Sequence, residues 1–154
     1  MLYFAYGSNL DWVQMKTRCP SATFVNCAKL KDHRLAFTRK STRRGCGSAD
    51  AIAKQGRDIW GVVYEIDERD VGSLDEAGGF FPGRAQNAYT RQERHVSEDG
   101  DEQKPLLVSI YFAEKQKDPP LPSAEYKRQI VDGARHWHLP QEYIQELEQI
   151  KVAL

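Results

Sequence analysis

The chain opens on an unbroken apolar stretch, Leu2-Tyr3-Phe4-Ala5-Tyr6, which stops at Gly7-Ser8-Asn9. A short aromatic and aliphatic run ended by turn formers reads as a buried strand. Ser8 or Asn9 then caps a predicted helix over 11–18. That helix must end before Pro20, because the residue preceding a proline disfavours helical backbone. Residues 22–30 and 33–38 read as two strands joined at Lys31-Asp32, and the polar, basic stretch 39–50 reads as a loop. Residues 51–54 and 59–66 read as a hairpin around Gln55-Gly56-Arg57-Asp58. Gly61-Val62-Val63-Tyr64-Glu65-Ile66 has the β-branched and aromatic content of an interior strand.

Asp67 has the character of a helix cap, Asp70, Val71, Leu74 and Asp75 continue that helix, and Gly78-Gly79 end it. Residues 80–88, with Pro82 and Gly83, read as a loop. Strands follow over 89–96 and 106–112, with a charged, mobile turn over 97–104 between them. Asp118-Pro119-Pro120-Leu121-Pro122 is a stiff linker, and Ser123 caps a helix that runs to about Trp137. Pro140 opens a last helix over 141–150, with Tyr143, Leu147 and Ile150 on one face. The sum is roughly seven strands and four helices, an α+β chain with a curled sheet and neither a repeat nor a second domain boundary.

A length of 154 residues suits one domain, 1–154, with a real core, and 40% apolar with 29% charged residues is an ordinary globular balance. Lys+Arg and Asp+Glu both number 22, so the surplus of positive charge expected of a nucleic-acid binder is missing. No stretch approaches the ~18 consecutive apolar residues of a membrane span. The apolar start is too short, and lacks the basic flank, for a signal peptide. Cys19, Cys27 and Cys46 are odd in number and form no C-x-x-C pair, which argues against a disulfide framework or a zinc site and for a reducing cytoplasm.

Ordered blocks then carry a resemblance. They are Tyr3-Phe4-Ala5-Tyr6-Gly7-Ser8-Asn9-Leu10; Pro20-Ser21-Ala22; Ile59-Trp60-Gly61-Val62-Val63-Tyr64; Leu74-Asp75-Glu76 with an aromatic strand start at Tyr89; and Pro122-Ser123-Ala124-Glu125-Tyr126-Lys127 leading to Gly133-Ala134 and Leu139-Pro140-Gln141-Glu142-Tyr143. Together they cover nearly the whole chain and resemble the γ-glutamylcyclotransferase family of the AIG2-like superfamily. The resemblance implies a small mixed β-barrel with flanking helices. It implies a small-molecule γ-glutamyl substrate, cyclised to 5-oxoproline with release of an amine or amino acid. It implies neither a metal nor an organic cofactor, and leaves monomer or homodimer open.

Such a reaction needs the substrate held folded, its carboxylate and developing oxyanion stabilised, and a proton removed from the attacking amine. Tyr6, Gly7, Ser8, Asn9 and Leu10 suit the anion-holding part. They lie between a strand and a helix, where unpaired N–H groups gather and Gly7 admits a close approach. An ordinary capped turn is the plainer reading of those five residues, and the resemblance favours the site. Tyr89 and Tyr126 match substrate-side positions, although each would serve equally as a packed aromatic.

The glutamate that the resemblance implies as proton acceptor is replaced here by Gly78, which has no side chain to act as a base. Three explanations stay open: an introduced replacement of glutamate; a natural binding or regulatory form without the chemistry; or substitution by Glu76 or Asp75. The last is disfavoured because helix residues two and three positions away project from different sides. The basic stretch Thr38-Arg39-Lys40-Ser41-Thr42-Arg43-Arg44 reads as a solvated loop, His136-Trp137-His138 as packing rather than metal ligation, and Phe80-Phe81-Pro82 as either a rim or an anchored loop.

Overall fold

β1 (Leu2–Ala5) is the apolar opening segment in the computed structural model, which describes residues 1–154. A 3-10 turn (Ser8–Leu10) and α1 (Trp12–Arg18) follow, then β2 (Thr23–Lys40), β3 (Gly47–Glu65), α2 (Glu68–Ala77), β4 (Tyr89–Glu98), β5 (Pro105–Ala113), α3 (Ala124–His136) and α4 (Gln141–Glu148). The strands close into a barrel in the order β1-β3-β2-β4-β5. Neighbours are antiparallel except at the closing seam, where β1 meets β5 in parallel with Tyr3 opposite Ser109. That seam makes the barrel mixed, as the resemblance implies.

The barrel is buried on both faces where β3 passes through it. Ile59, Val62, Val63 and Tyr64 are all fully buried, so consecutive side chains find cover on alternate sides. Gly61 sits where β1 presses closest: a Cβ there would lie 2.3 Å from the Ala5 carbonyl oxygen. Trp137, at the end of α3, donates its indole N–H to the Leu10 carbonyl at 2.9 Å and stacks on Phe24 with ring centroids 4.6 Å apart. Packing is therefore the role the structure gives Trp137.

The structure has five strands rather than about seven, because two turn signals proved to be one bulge. β2 and β3 are single long strands paired with each other, Lys31 opposite Asp58 and His33 opposite Ala53. Asp32 takes a left-handed φ of 58°, and its carboxylate accepts the Gly56 N–H at 2.9 Å across the ladder. Lys31-Asp32 and Gln55–Asp58 thus face each other as an irregularity inside one hairpin. The true turn spans 41–46 and is closed by the Ser41 N–H donating to Cys46 O at 2.8 Å, so much of the expected 39–50 loop is strand. The 97–104 turn packs: Gly100 lies against Trp60, and Lys31 pairs with Glu102 at 2.7 Å.

Asp67 and Ser123 cap α2 and α3 as expected. Neither Ser8 nor Asn9 caps α1. That role falls to Asp11, whose carboxylate accepts the Val13 N–H at 3.1 Å, and this frees Ser8 and Asn9 for a separate 3-10 turn. α4 ends at Glu148, short of Ile150.

Gly133 on α3 seats that turn, since a Cβ there would lie 2.6 Å from the Leu10 carbonyl carbon. Glycine to alanine inside a helix ordinarily gains about 1 kcal/mol, whereas forcing atoms into a filled contact costs about 1–3 kcal/mol. Backbone cannot swing away, which puts the cost in the upper part of that range, about 2–3 kcal/mol, so Gly133→Ala is expected to lose about 1–2 kcal/mol net in a denaturant titration. An unchanged midpoint would mean that α3 slides freely past the turn.

Candidate functional site

The end of β1, the 3-10 turn, the C-terminal end of α2 and the 41–46 turn surround one cleft of about 340 Å³. Tyr6, Gly7, Ser8, Asn9, Gly78, Tyr89 and Tyr126 all line it. Leu10 does not. It is fully buried against Gly133, so the expectation that it contacts a ligand is corrected: the hydrophobic side chain anchors the turn from behind. Tyr3, Arg18, Arg39, Lys40, Arg43, Arg44 and Tyr111 join the lining without having been singled out as site residues, and Glu76, weighed above only as a substitute base, lines it too. Phe80 packs on the core and Phe81 stacks under Arg84 at 4.4 Å, so that segment is an anchored loop.

The tyrosines divide by where their protons go. Tyr6 donates to the Tyr111 carbonyl at 2.6 Å and Tyr89 to the Ala49 carbonyl, so both protons are committed to backbone. Tyr111 donates to Asp75. Tyr126 instead accepts the Ala49 N–H at 3.0 Å, and Tyr3 accepts the Asn9 side-chain N–H at 3.0 Å. Both keep their own O–H free to donate to something in the cleft. Asn9 is held from three sides, by Tyr3, by Gln14 at 3.0 Å and by Arg18 at 3.0 Å. A Cβ on Gly7 would press on Ala49 at 3.2 Å, so glycine there keeps the turn close to β3.

Burial raises the pKa of all seven tyrosines, that of Tyr3 to about 12. None can serve as a base near neutrality. A raised native pKa means that the unfolded chain releases these protons first, above about pH 10, while the folded chain holds them. Stability is therefore full below about pH 10 and falls as pH climbs beyond it, by about 1.4 kcal/mol per pH unit for each tyrosine involved. Unfolding measured from neutrality to about pH 11 is expected to show that fall. Phenolate absorbance should appear together with unfolding; phenolate forming in the intact fold would contradict the protonated, buried arrangement.

Gly78 is the last residue against α2 and its φ is −88°, ordinary for any L-residue. A Cβ placed there would meet Tyr111 Cδ1 at 3.5 Å, normal contact, and the position opens onto the cleft. Gly79 differs: its φ is +68° and a Cβ would fall 2.7 Å from Ala88 Cβ. Asp75 is buried and engaged by Tyr111 and by Arg91, whose Nε lies 3.1 Å from Oδ1. Glu76 is exposed and, despite its different helical phase, is the carboxylate that lines the cleft.

Residues 58–147 match the model of the AIG2-like family. The mouse γ-glutamylcyclotransferase is 36% identical over 97% of this chain and 78% of its own. The chain belongs to the γ-glutamylcyclotransferase family. The human γ-glutamylcyclotransferase is 34% identical over the same shares. A solved γ-glutamyl cyclotransferase superposes with a TM-score of 0.88 at 33% identity, covering 99% of this chain and 89% of that one. The mixed barrel with flanking helices is thus the γ-glutamylcyclotransferase fold.

Proposed function

We propose that the chain binds a γ-glutamyl group folded in this cleft and cyclises it to 5-oxoproline, slowly, because glycine stands at position 78. The observation that carries the reading is the convergence of Tyr6–Asn9, Gly78, Tyr89 and Tyr126 on one cleft, in a chain of this family. The substrate's α-amine attacks its own γ-carbonyl carbon. A new C–N bond forms, the bond to the departing nitrogen breaks, and one proton passes from the attacking to the departing nitrogen. Holding the chain of the substrate folded removes an entropic barrier. Tyr126 and Tyr3 have free hydroxyl protons for a carboxylate or a developing oxyanion, and the 3-10 turn starts with N–H groups unused within it.

The arrangement lacks a dedicated base. The tyrosines stay protonated and Asp75 is engaged, leaving Glu76 or water to take the proton. The decisive assay is 5-oxoproline release from γ-glutamyl-alanine by this chain and by Gly78→Glu. Silence from both over several γ-glutamyl substrates would remove the cyclotransferase reading. The glycine itself favours a second reading, a non-catalytic γ-glutamyl-binding module. Calorimetry with γ-glutamyl compounds and 5-oxoproline separates the two: saturable binding without release supports the module, and absence of binding at millimolar ligand removes it.

A further inference from the structure

The cleft is charged far out of proportion to the chain. Formal net charge is zero, yet Arg18, Arg39, Lys40, Arg43 and Arg44 all line this one cavity, against a single carboxylate, Glu76. None of the five takes part in any of the fold's seven ion pairs. Their side-chain hydrogen bonds go to neutral oxygens. Arg18 donates to Asn9 Oδ1 at 3.0 Å, Arg39 to the Glu114 carbonyl at 3.1 Å, and Arg44 to the side-chain amides of Gln129 at 3.0 Å and Gln14 at 3.1 Å. Burial, followed by the charges of Arg43 and Arg44, holds the Arg18 guanidinium below its usual pKa, so these three guanidinium groups repel one another.

They also sit at two ends. Arg18 and Arg44 flank the 3-10 turn, the first through Asn9 and the second with its guanidinium 4.6 Å from the Tyr126 ring centroid. Arg39 is fixed at the Tyr89 side, because the Glu114 whose carbonyl it holds donates its N–H to Ala88 O at 2.8 Å. A ligand with one carboxylate at each end would still leave three of the five cations unmatched.

We propose that the cleft prefers γ-glutamyl compounds whose departing part is itself acidic, the γ-glutamyl-glutamate type with three carboxylates. The inference rests on the γ-glutamyl reading above and narrows it. The glutamyl α-carboxylate meets Arg18 and Arg44 beside the turn, and the carboxylates of the departing residue meet Arg39 and its neighbours at the far end. Guanidinium suits this task because its planar fork binds carboxylates in pairs of hydrogen bonds.

Isothermal titration of the intact chain at low salt tests it with three probes: γ-glutamyl-glutamate, γ-glutamyl-alanine and tricarballylate, a tricarboxylate without a glutamyl group. The acidic dipeptide is expected to bind at least about tenfold tighter than γ-glutamyl-alanine, a difference of about 1.4 kcal/mol. The preference should shrink to within about threefold near 1 M salt, where the screening length falls to about 3 Å. Arg39→Gln should erase it and Arg39→Lys should largely keep it, with thermal melts confirming that each variant is folded; the salt series reads the same electrostatics without any variant. Equal affinity for the two dipeptides overturns the preference and leaves the γ-glutamyl reading standing. Tricarballylate binding as tightly as the acidic dipeptide reduces the cleft to a general anion trap and also overturns it. Failure of both dipeptides to bind removes the γ-glutamyl reading itself.

Discussion

Gly78→Glu is expected to raise 5-oxoproline release from γ-glutamyl-alanine by about 10²–10⁴-fold, the usual worth of a positioned general base. The steric case is favourable. Position 78 has a φ of −88° and room for a Cβ in ordinary contact with Tyr111, and it faces the cleft. A carboxylate there arrives without moving backbone. The gain should fall on kcat rather than on KM, because proton removal belongs to the transition state and not to binding. Gly79→Glu is the matched control: its φ of +68° and the 2.7 Å approach to Ala88 make a side chain there strained, so it should give no gain and a less stable protein. Formate or acetate, small enough to enter the space beside Gly78, should restore part of the rate to the glycine protein and none to the glutamate variant. A flat result in both would move attention to Glu76, whose change to glutamine should then abolish whatever turnover remains.

Asp75→Ala is expected to cost about 3 kcal/mol of stability and to loosen the cleft at the same time. Asp75 is 4% exposed and holds two partners, the Tyr111 hydroxyl and the Arg91 guanidinium. Removing one member of a buried pair costs about 3–5 kcal/mol when the survivor cannot reach water. The Arg91 side chain is 29% exposed and can turn outward to water, which brings its share below that range, to about 1 kcal/mol. Tyr111 is buried and its hydroxyl would lose its acceptor, adding about 1–3 kcal/mol. Asp75→Asn keeps an acceptor for Tyr111 and should lose roughly half as much. Chemical denaturation of the three proteins reads this directly. A loss under about 1 kcal/mol for alanine would mean that the pair behaves as an exposed surface bridge. Because Gly78 and Phe80 donate their N–H groups to the Asp75 carbonyl, the same residue holds the turn on which position 78 rides.

What the chain's own pattern reveals is mostly what is local. β1, β5, the second half of β3 and the caps at Asp67 and Ser123 could be read because apolar runs and capping residues act within a few positions. The strand count could not. Lys31-Asp32 and Gln55-Gly56-Arg57-Asp58 each have turn chemistry, and only their pairing across the ladder shows that they answer each other. The site divides the same way. Tyr6–Asn9 sit at a strand-to-helix junction, where chemistry is announced by position. Tyr3 gave no such signal, since a strand tyrosine facing a cleft and one facing a core look alike in sequence. Arg39, Arg43 and Arg44 read as a solvated loop because their placement depends on Glu114 and Gln129, distant residues that draw the basic turn over the cavity. Leu10 erred the other way: adjacency to Asn9 suggested a ligand contact, but the side chain turns inward to Gly133.

The barrel's closing seam has a consequence for how the molecule breathes. β1 and β5 share one paired position, Tyr3 with Ser109, reinforced by the Tyr6 hydroxyl reaching the Tyr111 carbonyl. Three of those four residues also wall the cleft. The staves least tightly hooped are therefore the ones that a bound molecule would grip, and occupancy should slow amide hydrogen exchange along β1 and β5 more than in the long β2–β3 ribbon.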